Sequence, residues 1–353
     1  MYDKELVQKL QKQNLTVFEE VYQLRLEIVR GCNLDCWHCG RSRLKTEFMS
    51  AEIMDKILNE ITSRCKRVEF AGQGEATLHP HLADFVRATR ERLPKAQIST
   101  YTNSMTLRKV GLAYLAGLFE AGMNIIHVDL YHESQKDWFY QELKSFEDTL
   151  RSIEVQVLDF YSSDEDAWRF KGPVRQLIIA EEWEGFNVAG KSTRAPHNFA
   201  GNLELKHWEP LIGMGIEQFP LQRVCTEPLK YMTIGSNGDV YACCTDGAKA
   251  LVVGNVCFEN LQDIWQGDKL QCIRMILKMG HRKYLAPCSL CNCRSYRIGL
   301  YPYWGRVYES AEALELVAQA HRLDKREPLF HNLKAMEPMH HIKLLMEEAE
   351  NEN

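Results

Sequence analysis

Cys32, Cys36 and Cys39 stand in the run Arg30-Gly31-Cys32-Asn33-Leu34-Asp35-Cys36-Trp37-His38-Cys39-Gly40, three thiols spaced x3 and then x2. This spacing leaves a metal site one protein ligand short. A structural zinc closes with four protein ligands, whereas an iron–sulfur cluster held by three cysteines keeps one iron free to bind something else. The competing reading is a zinc knuckle that borrows His38 as its fourth ligand. A second group lies in the last third: Cys225, then Cys243-Cys244, then Pro287-Cys288-Ser289-Leu290-Cys291-Asn292-Cys293. Cysteines flanking a hairpin and a distant CxxC can converge into one four-ligand site, either a cluster or a zinc ribbon. Cys65, Cys257 and Cys272 have no partner spacing and read as small buried apolar groups.

The elements that must position these residues alternate. Candidate strands are Leu24–Val29, Arg67–Ala71, Gln97–Thr102, Asn124–Leu130, Glu154–Phe160 and Val174–Ala180, separated by helical patterns at Ala51–Thr62, His81–Arg92, Arg108–Ala121 and Gln135–Arg151. Strands alternating with helices of this length predict βαβ units and a parallel sheet, whose functional groups gather at the carboxyl ends of the strands. The cysteine loop follows the first strand. The second strand runs into Ala71-Gly72-Gln73-Gly74-Glu75-Ala76, the third ends in Thr102-Asn103-Ser104, and the fourth ends in His127-Val128-Asp129-Leu130-Tyr131-His132. Alternation puts His127, Asp129 and Tyr131 on one face, with Asp129 as a pocket residue. Later, Tyr231–Gly235 and Val240–Cys244 flank Ser236-Asn237-Gly238-Asp239, a strong hairpin signal, and a helix is predicted from about Asn260 to Met279.

The first cysteine run resembles the cluster loop CxxxCxxC of the radical S-adenosylmethionine (SAM) superfamily. In that family SAM chelates the free iron of a [4Fe–4S] cluster, here on Cys32, Cys36 and Cys39. Gly72, Gly74 and Glu75 resemble the glycine-glutamate motif that holds the SAM amino group, with Ala76 where proline is usual and Gln73-Gly74 where a glycine pair is common. Asn103 resembles the residue near the SAM ribose, and Asp129 falls where pocket residues contact SAM or substrate. The stretch from Cys225 to Cys293 resembles a SPASM/Twitch extension: an Asn-Gly hairpin ending in paired cysteines, Gly254-Asn255, a Leu-x-x-Ile-Trp helix and a closing CxxC. On this resemblance Cys225, Cys243, Cys288 and Cys291 ligate an auxiliary [4Fe–4S] cluster. Cys244 or Cys293 could replace a neighbour, and Cys244 could instead donate hydrogen to a substrate radical. The implied fold is α/β: a partial (β/α)6 radical SAM barrel, then a small hairpin-plus-helix cluster domain and a helical C-terminal cap. The boundaries are 1–20 (N-terminal helix), 21–205 (barrel), 206–300 (auxiliary domain) and 301–353 (helical extension).

The chain has 353 residues, 45% of them hydrophobic, twelve cysteines and a net charge of −5. That charge argues against nonspecific nucleic-acid binding, which needs a basic surface. The charged N-terminus has no apolar h-region and no stretch approaches a membrane span, so a cytoplasmic enzyme is expected, with the cysteines used for metal. The resemblance implies reductive cleavage of SAM by a flavodoxin- or ferredoxin-type reductant, and hydrogen abstraction from an unactivated C–H. The barrel begins within the first few dozen residues, leaving no room for a leader-peptide-binding domain. This tilts the substrate toward a small polar molecule such as a sugar, aminocyclitol or nucleotide derivative, with oxidation and epimerisation both open. The alternatives are a SPASM-type maturase acting on a peptide or protein, a non-catalytic zinc-binding module, and an electron-transfer protein with no SAM chemistry. The turns at 186–190 and 197–202 are expected to edge the substrate cleft.

Overall fold

Polar and apolar residues alternate along the strands, and that alternation decides how each face of the sheet is used. The computed structural model describes residues 19–34, 39, 45–159, 175–181, 225, 227–278 and 280–291. In chain order come β1 (Gln23–Leu26), β2 (Val29–Arg30), β3 (Glu47–Phe48), α1 (Ala51–Glu60), β4 (Arg67–Phe70), α2 (Leu82–Arg92), β5 (Gln97–Thr102), α3 (Leu107–Val110), α4 (Ala113–Glu120), β6 (Ile125–Leu130), α5 (Glu133–Ser152), β7 (Val155–Asp159) and β8 (Arg175–Glu181). They are followed by α6 (Glu227–Lys230), β9 (Tyr231–Ile234), β10 (Asp239–Tyr241), β11 (Val252–Asn255), α7 (Leu261–Gln266), α8 (Asp268–Lys278) and α9 (Ala286–Ser289). None of the helices among the described residues is long and apolar enough to cross a membrane.

One sheet of nine strands runs β11-β10-β9-β1-β4-β5-β6-β8-β7. Leu24, Val68, Ile98, Ile126 and Leu177 join helix residues such as Ile57, Phe85 and Phe139 in one buried apolar cluster. The opposite face carries Arg25, Arg67, Glu69, Tyr101, His127 and Asp129, brought side by side by a parallel register that pairs Arg25 with Glu69 and Tyr101 with His127. The helices cover the apolar face, as expected for βαβ units. The hairpin β9–β10 is not a separate layer, because β9 pairs in parallel with β1 and so extends the sheet.

The polar face is held by ion pairs. Glu69 lies between two guanidiniums: Arg25 Nε donates to Glu69 Oε2 at 2.7 Å, and Arg67 pairs with Glu69 Oε1, with the Arg67 and Glu69 side chains both fully buried. Removing one member of a buried pair leaves a charge without compensation. Glu69→Ala is therefore expected to cost about 3–5 kcal/mol, read as a lower urea midpoint at unchanged slope. A loss under about 1 kcal/mol would mean that the arginines find other partners.

Four expectations are corrected or refined. The helix read as Arg108–Ala121 is two, broken at Gly111, whose φ of +80° a side chain rarely adopts. The helix read from Asn260 divides at Gly267 into α7 and α8. β8 inserts between β6 and β7, so the last two strands do not lie in sequence order. Cys257 is exposed rather than buried, because it sits in the turn after β11, where Asn255 Oδ1 accepts its backbone N–H at 2.8 Å. Cys65 and Cys272 are buried as expected. The N-terminal helix, the turns at 186–202 and the helical extension 301–353 lie outside the described residues, apart from Glu19 and Glu20.

Candidate active site

The first cysteine loop is closed at its base by the two-strand ladder β2–β3, Val29 opposite Phe48. Cys32 and Cys39 are both half-buried, while Cys36, Trp37 and His38 lie outside the described residues. Cys32 Sγ accepts from the Leu34 backbone N–H at 3.4 Å and from Asn103 Nδ2 at 3.2 Å, and burial pushes its thiol pKa up. Asn103 Nδ2 also donates to Asn33 Oδ1 at 2.8 Å, and the Asn103 backbone N–H donates to Glu75 Oε2 at 2.8 Å. Three motifs from three strand ends thus meet at Asn103.

The glycines let the second motif come this close. A Cβ on Gly74 would overlap the Val29 carbonyl oxygen and sit 2.8 Å from the Gly31 carbonyl, and a Cβ on Gly72 would lie 2.5 Å from Glu27 Cγ. The Glu75 N–H donates to the Gly31 carbonyl at 3.0 Å, tying this loop to the cysteine loop. Glu75 is almost wholly buried, and burial pushes its carboxyl pKa up against hydrogen bonds from Thr77 and Asn103.

Two further residues, Thr77 and Gln135, belong to the site without having been expected there from their residue types. Thr77 donates to Glu75 Oε1 through both its backbone N–H, at 3.1 Å, and its hydroxyl. Gln135 accepts from the Tyr131 and His132 N–H groups at 2.9 and 2.8 Å, and donates to the Asn103 carbonyl at 2.8 Å and to Ser104 Oγ at 3.0 Å. It clamps the turns after β5 and β6 together. A Gln at the third position of a helix is a capping-box signal, so this role was open to inspection. Ser104 holds φ +66°, the left-handed conformation that suits the Asn-Ser turn for such a clamp.

Asp129 is buried at the end of β6, accepting from Tyr131 Oη at 3.3 Å, with His127 Nε2 3.6 Å from its other oxygen. His127 packs edge-on against Tyr101, ring centroids 5.0 Å apart. His132 precedes α5 as its N-terminal flanking residue, and its backbone N–H donates to Gln135 Oε1 at 2.8 Å.

The second cysteine group also gathers. Cys225, Cys243, Cys288 and Cys291 line one recess, walled by Leu251, Ile273 and Leu277 and edged by Arg282. Among the described residues no three His, Cys, Asp or Glu side chains close tightly on a single ion. Four cysteines lining one recess are a donor set that fits an iron–sulfur cluster, whose irons are held by thiolates. The Cys288 thiol pKa is pushed up by burial and by the neighbouring Cys225 and Cys291. Cys244 does not line the recess. Its pKa is drawn down by a hydrogen bond with Cys243 and, against burial, by the Arg25 guanidinium on the polar face. Cys293 lies outside the described residues.

A family model described as the radical SAM superfamily matches residues 26–155, and one described as an iron-sulfur cluster-binding domain, SPASM, matches residues 225–293. The S-adenosyl-L-methionine-dependent 2-deoxy-scyllo-inosamine dehydrogenase of Niallia circulans is 24% identical over 274 residues, covering 76% of this chain and 92% of that protein. A probable GTP 3′,8-cyclase of Pyrococcus abyssi is 27% identical over 185 residues, covering 46% of this chain and 57% of the relative. Among solved structures, BtrN in complex with AdoMet and 2-DOIA matches with a TM-score of 0.55 at 21% identity, covering 78% of this chain and 94% of that one, a likeness of fold.

Proposed function

Given that the chain belongs to the radical SAM superfamily and carries a C-terminal SPASM domain, we propose that it is a dehydrogenase of a small, hydroxylated, amine-bearing ring such as an aminocyclitol. Membership implies an oxidoreductase-type enzyme that uses SAM, a [4Fe–4S] cluster and auxiliary iron–sulfur chemistry. The observation that carries the site assignment is the hydrogen-bonded junction of Cys32, Asn103 and Glu75. In this reading Cys32, Cys36 and Cys39 hold the SAM-binding cluster, and Cys225, Cys243, Cys288 and Cys291 hold the auxiliary one. When bound, these groups supply a carbon radical that takes hydrogen and an acceptor for the electron left behind.

The chain's own work is placement. Gly72 and Gly74 let the backbone approach the amino acid end of SAM, and Glu75 supplies the countercharge for its ammonium. Asn103 fixes the cluster loop against that site. Asp129, held by Tyr131 and close to His127, accepts a hydroxyl or ammonium hydrogen of the substrate at the edge of the polar face. That face, polar between two cysteine sites, suits a polyol better than an apolar target. The similarity to the 2-deoxy-scyllo-inosamine dehydrogenase supports the aminocyclitol class. We further assign a flavodoxin- or ferredoxin-type reductant and a cytoplasmic setting, whose reducing poise keeps so many thiols available for metal. A nucleic-acid partner does not fit the net charge of −5.

The test is anaerobic incubation of reconstituted enzyme with SAM, reductant and a panel of cyclitols, aminocyclitols and sugars. Formation of 5′-deoxyadenosine with an equal amount of product short of two hydrogens supports the reading. Solvent deuterium entering a product of unchanged composition, abolished by Cys244→Ala, would replace it with epimerisation through a Cys244 thiol. Turnover of peptides alone would replace it with a maturase.

A further inference from the structure

Lys249 adopts φ +54°, a left-handed conformation that a lysine keeps only when its surroundings demand it. It sits in the loop between Cys243-Cys244 and β11. That loop is closed by Ala242 N–H donating to the Leu251 carbonyl at 3.0 Å, and by Leu251 N–H donating to Asp246 Oδ2 at 2.8 Å. The Lys249 side chain passes over the Tyr241 ring, Nζ 4.4 Å from its centroid, and pairs with Glu27 Oε1, 222 residues away in sequence. Both partners are nearly withdrawn from solvent, at 13% and 4% side-chain exposure, so the pair is poorly screened. Glu27 Oε2 accepts the Gln73 backbone N–H at 3.0 Å, while the Glu27 backbone N–H donates to Ile234 of β9 at 2.8 Å. One carboxylate thus joins the 243–251 loop to the Gly72–Glu75 loop.

We propose that Lys249 is a positioning residue that couples the two cysteine sites, setting the Gly72–Glu75 backbone through Glu27 according to the state of the loop that carries Cys243. The proposal rests on the reading that SAM is held at Gly72–Glu75. Filling the recess orders Cys243 and the loop behind it. Lys249 then holds Glu27, and Glu27 holds the Gln73 amide in the position that presents Gly74 and Glu75. Because coupling between sites is reciprocal, SAM binding and an intact auxiliary site strengthen each other.

Two readouts test this. In reconstituted protein without SAM, amide exchange across residues 71–77 is expected to quicken in Lys249→Gln, with wild-type rates retained in α1 and β5 and with protection restored in Lys249→Arg. In reconstituted protein, Lys249→Gln and Cys288→Ala are each expected to raise the dissociation constant for SAM about tenfold, while the double variant is weakened no further than about twofold beyond either. Unchanged exchange across 71–77, exchange that quickens throughout the protein, or effects on SAM binding that simply add would each overturn the coupling. A wild-type protein that binds no SAM would instead overturn the site assignment, and the exchange result would still decide the Lys249–Glu27 contact.

Discussion

Cys32→Ala protein, reconstituted anaerobically with iron and sulfide, is expected to hold about four fewer irons per chain than wild type and to release no 5′-deoxyadenosine from SAM. A cubane with one free iron needs three thiolates, and the first loop supplies three and no more. Cys32 is also the best anchored of those described, accepting from the Leu34 amide and from Asn103. Among the described residues, Cys65 is no substitute. Cys65 is buried at the other end of the sheet, where its Sγ lies 3.2 Å from the Arg67 carbonyl and burial pushes its pKa up to about 12. The fold should be little affected, since Cys32 belongs to no part of the apolar cluster. Iron, sulfide and zinc analysis beside a 5′-deoxyadenosine assay gives the answer. Retained cleavage in Cys32→Ala would sink the ligand assignment, and zinc in place of iron in both proteins would end the radical-enzyme reading.

The second large effect concerns the recess. Cys291→Ala is expected to lose about four irons as well, to keep substrate-independent SAM cleavage, and to make no product. The two cysteine groups sit on different elements, one on the loop after β2 and one on the segments before α6, after β10 and around α9, so the first should load without the second. Cys291 closes the CxxC turn through its N–H to the Cys288 carbonyl at 3.2 Å. Its loss opens one wall of the site, while the remaining thiols keep their places. The measurement is the ratio of 5′-deoxyadenosine to product, together with iron content. Normal turnover in Cys291→Ala would remove the auxiliary cluster from the chemistry. Full iron content with altered spectra would show that Cys244 or Cys293 has taken over as ligand.

Much of this was legible in the sequence because the local signals agreed with one another. Five of the six strands of the first half fall where alternation and turn chemistry put them, while the stretch read as Leu24–Val29 divides into β1 and β2, the second in its own ladder with β3. Gly72, Gly74, Glu75 and Asn103 converge because they follow neighbouring parallel strands, β4 and β5, and Cys32 reaches them from the loop after β2. The errors share a local cause. Gly111 and Gly267 lie inside apolar patterns that keep helical period across the break, so periodicity ran through both. Cys257 was misplaced because its residue type suggests burial while its turn puts it outside. The long-range contacts had no local signal at all. Nothing in Gln23–Glu27 or in the residues around Lys249 announces a partner 222 positions away, and the insertion of β8 between β6 and β7 depends on a choice of neighbour that strand composition does not encode.

The parallel pairing of β9 with β1 reaches beyond catalysis. Every residue of β1 from Gln23 to Leu26 has a partner in β9 as well as in β4. Among the described strands, the hairpin therefore shields a side of β1 that would otherwise present a row of unpaired amides and carbonyls. Bare strands of that kind recruit other chains. During synthesis the segment before residue 225 leaves the ribosome first, and until β9 arrives that side is a ready template for misassociation. The segment that brings the second set of thiols is thus also what keeps newly made copies of this enzyme from sticking to one another.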